Sequence, residues 1–263
     1  MRIWRLIRCF WAASAQGELA YRANFWISLL NAGLNLGTGA LGLVVLFGQV
    51  PTIQGWTLDS TLALLGVYLT MGALRGLVIG PSLEALAGMD GEVWTGRFDF
   101  TLLRPLDVQF QASLGRWRPL ALIDLALGLV VLGIALVRMG QALELVHLAM
   151  FVVALFAGVV ILYALLLALA GLVFWSPGFL FTWILDGLFQ LARYPLRIYP
   201  RWVQLVLSWI VPVGVITAVP VEALNGALSP AGLAGAVGLA ALLFVVASAV
   251  FRGGLRRYAS ASS

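Results

Sequence analysis

Apolar runs long enough to cross a lipid bilayer recur along the chain, separated by short polar stretches. Crossing a hydrocarbon core about 30 Å thick takes roughly 20 apolar residues in a helix. The segments that clearly meet this requirement are 25–47, 60–80, 119–137, 145–172 and 230–251. The pattern therefore predicts an all-α integral membrane protein that forms a single transmembrane domain over residues 1–263.

The stretch before the last of these spans is ambiguous. Two apolar pieces, 174–192 and 202–218, flank a segment with three arginines, and only one piece needs to cross. If 202–218 crosses, those arginines are cytoplasmic, which the positive-inside rule prefers. If 174–192 crosses, they face outward, and the rule is still obeyed. Both arrangements give six spans with cytoplasmic termini. The arginines concerned are Arg193, Arg197 and Arg201.

Composition supports membrane residence and excludes several enzyme classes. The chain is 62% hydrophobic and 10% charged, against about 25% charged residues in an ordinary globular domain. All 16 basic residues are arginine, so there is no lysine for a Walker A phosphate loop. A single histidine (His147) and a single cysteine (Cys9) cannot form a multi-His or multi-Cys metal site. We expect neither catalysis nor a bound metal or cofactor in this chain.

The positions of the arginines argue against nucleic-acid binding, because they flank apolar runs in the manner that sets membrane orientation. In residues 1–24, Arg2, Arg5 and Arg8 fall on one side of a helix and large apolar residues on the other. This pattern predicts an amphipathic helix in the membrane interface, and the alternative is a plain basic flank. Because the arginines interrupt the apolar run, we do not expect a cleaved signal peptide.

Three ionisable residues within or beside the apolar segments are candidates for a polar site inside the membrane. Asp186 lies in the piece 174–192, where an aspartate is costly enough to require burial inside a helical bundle. It is interpreted either as a proton or substrate site or as a group that hydrogen-bonds neighbouring helices. Asp124 and Arg75 lie near the cytoplasmic ends of their spans, where snorkelling or mutual pairing would satisfy them.

Residues 81–118 form the longest polar stretch, and they combine both charge signs with large apolar residues. We expect a short helix along the membrane that presents Asp99, Leu103 and Arg104 to a cytoplasmic partner. A self-packed loop is the alternative. Two glycine pairs, Gly33 with Gly37 and Gly76 with Gly80, have the spacing that lets helices approach closely, within one chain or between subunits.

Two segments resemble the ABC type-2 permeases, the membrane subunits of ABC exporters, in particular a branch of about 260 residues encoded as paired permeases beside one ATPase. The first segment is 96–106, with Asp99 followed by Leu102-Leu103-Arg104-Pro105-Leu106. The second is 192–200, continuing to Pro212 and Pro220. The six-span layout and the amphipathic N-terminus agree with the family.

The resemblance implies a role for each segment. Residues 1–24 would be a cytoplasmic connecting helix, and 81–118 would contain the coupling helix that docks on the ATPase. The fifth span would be 174–192, and 193–229 would be extracytoplasmic and partly re-entrant, contrary to the arginine count. The implied coupling residues are Glu92, Arg97, Asp99, Leu102, Leu103, Arg104 and Pro105. The implied re-entrant motif consists of Arg193, Tyr194, Pro195, Tyr199, Pro200 and Pro212.

The resemblance also implies partners and a location. A dimer of ABC ATPase subunits would bind ATP and magnesium, and a second permease, identical or paralogous, would complete the pathway. The protein would be multi-pass in a bacterial inner membrane, among lipids, and would export an amphipathic or lipid-like cargo. Two alternatives remain open, which are a proton-coupled secondary transporter using Asp186 and a non-transporting scaffold for a cytoplasmic partner.

Overall fold

The computed structural model describes residues 2–140 and 144–258. Met1 and the side chains of Arg2 and Ile3, which belong to the predicted N-terminal helix, lie outside the described part. Within it there are helices and no strand, only an isolated bridge between Ile53 and Trp56, so the predicted all-α class is confirmed. The helices are α1 (Arg2–Leu19), α2 (Arg22–Phe47), α3 (Leu58–Leu74), α4 (Gly80–Leu83), α5 (Asp99–Leu102), α6 (Val108–Leu114), α7 (Leu122–Met139), α8 (Leu145–Leu172), α9 (Thr182–Leu191), α10 (Arg201–Leu205), α11 (Val213–Leu224) and α12 (Pro230–Leu255).

Five helical segments of the described chain are long and apolar enough to cross a membrane, and they match the five clear predicted spans. The second continues past residue 80, because a π-helical turn, Arg75–Ile79, joins α3 to α4. Pro81 lies in the first turn of α4, where a proline without an N–H is tolerated. The five segments are Arg22–Phe47, Leu58–Leu86, Pro119–Met139, Leu145–Leu172 and Pro230–Leu255.

The second span forms the centre of the bundle. In its apolar stretch 67% of the residues are buried, against 17% in those of the first and last spans. Glycines bring its backbone against the third span. A Cβ atom on Gly66 would lie 2.7 Å from the Leu132 nitrogen, and one on Gly128 would lie 2.7 Å from the Thr70 nitrogen. In a membrane the hydrophobic effect does not drive helices together, so close van der Waals packing at such small residues stabilises the contact between the two spans.

The fourth and last spans pack together in the same way. A Cβ atom on Gly171 would lie 2.9 Å from the Phe251 Cα atom. The middle of the fourth span also supports α11, since a Cβ atom on Gly158 would lie 3.1 Å from the Ile216 carbonyl oxygen. Glycines therefore hold the fourth and last spans together. They also let α11 pack between these two spans and the second span.

The segment predicted as a continuous fifth span over 174–192 is helical only over Thr182–Leu191. Ten helical residues extend about 15 Å, roughly half of a hydrocarbon core. Pro177 lacks a backbone N–H, and Gly178 adopts a φ of +86°, a left-handed conformation that glycine tolerates best. Together they separate α9 from the end of the fourth span.

The chain around α9 nevertheless reaches both ends of the second span. Near one end, the Gly88 nitrogen donates to the Phe179 oxygen at 3.3 Å, just beyond Leu86. Near the other end, Arg197 Nη1 donates to the Gln54 oxygen at 3.4 Å. The chain from Phe179 to Arg197 therefore runs along the whole second span, partly as helix and partly as irregular backbone.

The following segment bends sharply and returns to the end from which it started. The segments Arg201–Ile210 and Val213–Leu224 meet at 90°, with Pro212 at the corner. Arg197, before the pair, lines a cavity of about 150 Å³ together with Gln54 and with Asn225, which follows the pair. The bent pair thus begins and ends beside the loop that joins the first two spans.

Replacing Gly128 by leucine should force the second and third spans apart and destabilise the fold by about 1–3 kcal/mol, as expected for overpacking against a fixed backbone. The measurement is the midpoint of unfolding in detergent. Gly133→Leu is the matched control. Gly133 lies on the same helix as Gly128, but no described residue of another element comes within 4 Å of a Cβ atom placed there. Equal midpoints for the two variants would contradict the packing described here.

Candidate functional sites: a charged cleft and an exposed loop

An open cleft of about 550 Å³ lies between α2, the second span, the start of the third span and α9. It brings together the three predicted intramembrane residues Arg75, Asp124 and Asp186. This size falls within the range of small-molecule sites in proteins. The cleft is therefore the main candidate for a binding site in the apolar part of the molecule.

Arg75 is the most completely paired charge in the cleft. Its Nη2 lies 2.7 Å from Glu84 Oε1, and its Nη1 lies 2.5 Å from Asp186 Oδ1. Only 11% of the Arg75 side chain is exposed, against 31% for Glu84 and 49% for Asp186. Two carboxylates around one guanidinium compensate for its burial, and the pairing joins α9 to the second span.

Of the two alternatives for Arg75 and Asp124, snorkelling or mutual pairing, the structure does not show the pairing, because Arg75 contacts the carboxylates of Glu84 and Asp186 instead. Asp124 lies in the same cleft within electrostatic range of Arg118. Within residues 2–140 and 144–258, no group of three His, Cys, Asp or Glu side chains has an arrangement that would hold a metal ion. The cleft is a charge-paired site of arginines and carboxylates.

Arg193 lies in the same cleft and has a different set of partners. Its Nη2 donates to Asn35 Oδ1 at 2.5 Å and its Nη1 to Thr38 Oγ1 at 3.1 Å. The guanidinium carbon lies 5.1 Å from the centre of the Tyr68 ring, a cation–π distance. Its Nε is buried and has no hydrogen-bond partner in the described chain.

The other residues of the second predicted motif shape the chain after α9. Tyr194 lies so close to Gly42 that a Cβ atom there would collide with its hydroxyl. The Tyr199 hydroxyl donates to the Leu191 oxygen at 3.0 Å. The prolines lie where helical turns begin: Pro195 before Leu196–Ile198, Pro200 before α10 and Pro212 before α11.

The predicted coupling loop, 81–118, has a buried inner side. Phe98 is fully buried, with its ring centroid 5.2 Å from Phe174 and 5.4 Å from Tyr258. Phe174 in turn lies 5.4 Å from Phe251 in the last span. This cluster, Phe98, Phe174, Phe251 and Tyr258, fixes the loop to the ends of the fourth and last spans and is called the aromatic anchor below.

The outer side of the loop exposes large apolar residues beside the predicted coupling residues. Leu103 is 79% exposed, and Arg104 and Pro105 next to it are also exposed. At the predicted short helix there is a single helical turn, α5, which ends at Leu102, so that Leu103 and Arg104 follow it. The exposed apolar members are Met89, Trp94, Phe100, Leu102 and Leu103, and together they are called the loop patch.

The three other charged residues predicted for coupling hold the loop in shape. Glu92 pairs with Arg116, and Arg97 Nη2 donates to the Asp90 oxygen at 2.7 Å. The Tyr258 hydroxyl donates to Asp99 Oδ1 at 3.0 Å. Burial, followed by this hydrogen bond, raises the pKa of Tyr258 from 10.0 to about 12. The hydroxyl remains a donor at neutral pH, and its stabilising contribution is lost only as the pH rises through 10 toward 12.

Helix α1 is attached to the start of the third span. The Trp117 nitrogen donates to Ser14 Oγ at 3.1 Å, and the Leu120 nitrogen donates to Glu18 Oε2 at 2.9 Å. The Trp11 and Trp117 rings meet edge to face at 5.4 Å. The helix predicted in residues 1–24 is therefore present as α1, on the same end of the bundle as the loop 81–118.

The sequence did not identify Glu84, Arg118 or Asn35 as parts of the site. Glu84 was assigned to the loop, although the second span continues helically past Pro81 and carries it toward Arg75. Asn35 is a polar residue in the middle of an apolar run. The free-energy cost of placing an unpaired amide in the membrane was a signal that Asn35 has a partner. The pairing of Asn35 with Arg193 joins residues far apart in sequence and had no sequence signal.

The fold and the two sites define a multi-pass helical membrane protein with a polar cleft and an exposed apolar surface at one end. The chain belongs to the family described as ABC-2 family transporter protein, whose match covers residues 34–262. This confirms the predicted resemblance and supports a permease role. No curated protein and no solved structure matches the chain.

Replacing Arg75 by glutamine should lower the free energy of unfolding by about 3–5 kcal/mol, because two carboxylates would lose their counter-charge. Asp186→Asn should cost about 1 kcal/mol or less, since its side chain is half exposed and Arg75 keeps Glu84. Equilibrium unfolding in mixed micelles measures both. The control is Arg138→Gln, which breaks an exposed pair with Asp59. A loss for Arg75→Gln no larger than for the control would refute the central role of this pair.

Proposed function

We propose that this chain is the membrane-spanning permease subunit of an ATP-driven ABC exporter in a bacterial inner membrane. It has no catalytic activity of its own. A separate dimer of ABC ATPase subunits binds ATP and magnesium, and a second permease, identical or paralogous, completes the translocation pathway. Family membership supports this proposal, and the loop patch is the observation in the structure that carries it.

The loop patch has the properties expected of a docking surface for the ATPase. Its apolar side chains are exposed on the outer side, whereas Phe98 on the inner side is fully buried. Because the inner side of the loop is packed against the spans, a displacement of an ATPase bound to the loop patch would be passed on to the spans. Arg104, exposed beside Leu103, adds a charge that orients a partner at the rim of such an interface.

The aromatic anchor provides the route from the ATPase to the spans. Phe98 contacts Phe174 at the end of the fourth span, and Phe174 contacts Phe251 in the last span. Those two spans pack with backbone contact at Gly171. Closure of the ATPase dimer would therefore move them as a rigid body, and alternating access follows from that movement.

The path of the chain supports the topology that the family resemblance implies. With the loop patch and both termini in the cytoplasm, Arg197 and Gln54 lie on the outer side. The chain around α9 then crosses as the fifth span, and the bent pair, Arg201–Ile210 with Val213–Leu224, is re-entrant from outside. Irregular backbone at this depth is tolerated where protein surrounds it. In this topology α1 is the interfacial connecting helix.

The first span supports assembly with a second permease. Among the described residues, and apart from the adjacent residues and the nearby backbone of α2 itself, no atom lies within 4 Å of a Cβ atom at Gly33 or Gly37, and large apolar residues on α2 are exposed. Lipid or a second subunit covers this surface in the membrane. A cargo that passes along such a surface is amphipathic or lipid-like.

The ion pair in the cleft bears on the proton-coupled alternative. Arg75 lies 2.5 Å from Asp186, and this contact joins α9 to the second span, which supports a structural role over a proton-carrying one. The scaffold alternative gives no role to the cleft. ATP-dependent export accounts for both the cleft and the loop patch.

The double change of Leu103 to alanine and Arg104 to glutamate should abolish co-purification of the ABC ATPase from the native host, because it removes the most exposed apolar contact and reverses the adjacent charge. The matched control changes Val137 to alanine and Arg201 to glutamate, both exposed at the other end of the bundle. Retention of the ATPase by the first variant would remove the loop patch from the coupling surface.

A cysteine in place of Arg197, in a Cys9→Ser background, should react with an impermeant thiol reagent added to intact cells. Arg197 is exposed and lies on the outer side in the proposed topology. A cysteine in place of Arg104 should react only after permeabilisation. Labelling of the cysteine at position 197 only after permeabilisation, like that of the cysteine at position 104, would show that 202–218 crosses and that the arginines are cytoplasmic.

A further inference from the structure

Arg193 is the cation of the cleft that has no carboxylate partner in the part of the chain that the structure describes. Its contacts are the neutral oxygens of Asn35 and Thr38 and the ring of Tyr68. These groups orient the guanidinium but do not neutralise it. Its buried Nε also lacks an acceptor within the described chain.

The depth of Arg193 makes an uncompensated charge costly. Asn35 lies at the midpoint of α2, which runs from Arg22 to Phe47, and Tyr68 lies inside the buried second span. A charge at this depth is retained where it pairs with an opposite charge or serves a functional site.

Among the described residues, no carboxylate of the cleft forms an ion pair with Arg193. Glu84 and Asp186 both contact Arg75, and Asp124 lies within electrostatic range of Arg118. The cleft is therefore electrically uneven, with its positive end at Arg193. An anionic group placed there would accept hydrogen bonds from Arg193 without displacing an existing ion pair.

The borders of the cleft are apolar. Leu30 and Leu34 on α2, next to Asn31 and Asn35 in the cleft wall, are exposed, and Trp183 on α9 is exposed as well. A polar cavity of about 550 Å³ with apolar margins suits a molecule that has a charged group and a hydrocarbon chain.

We propose that the cleft binds an amphiphile through its anionic group, a phosphate or carboxylate, and that Arg193 is the residue that selects this charge. The guanidinium binds the oxyanion through charge-assisted hydrogen bonds from the remaining N–H groups of Nη1 and Nη2, and the chain of the amphiphile lies along the exposed side of α2. That this amphiphile is the exported cargo rests on the proposed function, whereas the binding site itself does not.

The test measures binding of radiolabelled dodecyl phosphate to the purified permease in maltoside detergent by scintillation proximity, with no ATPase present. We expect saturable binding that Arg193→Gln weakens about tenfold or more. Arg193→Lys should give an intermediate affinity, because it keeps the charge but loses the guanidinium. Arg201→Gln is the matched control, since Arg201 is exposed and lies outside the cleft.

Competition in the wild-type protein decides the chemistry even where a variant fails to fold. Unlabelled dodecyl phosphate should displace the probe, and dodecyltrimethylammonium and inorganic phosphate should not. Displacement by the cationic amphiphile would overturn the charge selection, and displacement by inorganic phosphate would overturn the requirement for a chain.

Two further outcomes would also overturn the proposal. One is equal binding by Arg193→Gln and the wild type. The other is loss of a permease dimer in Arg193→Gln, measured by light scattering, with unchanged probe binding, which would assign Arg193 to a carboxylate of a second subunit. Because no ATPase is present, these results leave the loop-patch test of the proposed function independent.

Discussion

The cost of a buried charge in an apolar protein determines how α9 is held. A ten-residue helix preceded by a Pro-Gly break cannot be positioned by hydrophobic length alone, and lipid is as apolar as its own side chains. Two polar contacts fix it instead. Arg75 binds Asp186 from α9 together with Glu84, and Arg193, just after α9, binds Asn35 of the first span. The cleft exists because these contacts hold α9 beside the second span without closing the space between them.

Backbone contact determines the rest of the bundle. Gly66 and Gly128 bring the second and third spans together, and Gly171 does the same for the fourth and last. Such contacts give little freedom to slide, so each pair behaves as one body. The aromatic anchor connects the loop to the second of these bodies through Phe98 and Phe174. Polar contacts thus govern the cleft, and close packing governs the parts that would have to move together.

Apolar length predicted the five clear spans because hydrocarbon thickness imposes it directly. The crossing proposed for the chain around α9 could not be predicted in this way, since this chain combines a short helix with irregular backbone, and 202–218 is equally apolar. Pro177-Gly178 was the available signal that 174–192 is not one helix. For the cleft, the sequence indicated that Asp186 and Arg75 are charged residues placed at a free-energy cost within apolar segments. It did not indicate that they pair with each other. Glu84 was missed because the predicted second span ended at residue 80, whereas the helix continues past Pro81.

The position of Arg75 links the two sites mechanically. Glu84 lies in the last turn of the second span, Leu58–Leu86, where the loop begins, and Asp186 lies on α9. One guanidinium therefore connects the root of the loop to the wall of the cleft. A displacement of the loop relative to α9 must change the geometry of at least one of the two ion pairs. Asp186 is more exposed than Glu84, so the Arg75–Asp186 ion pair costs less free energy to break than the Arg75–Glu84 pair. We therefore expect α9 to move before the second span does.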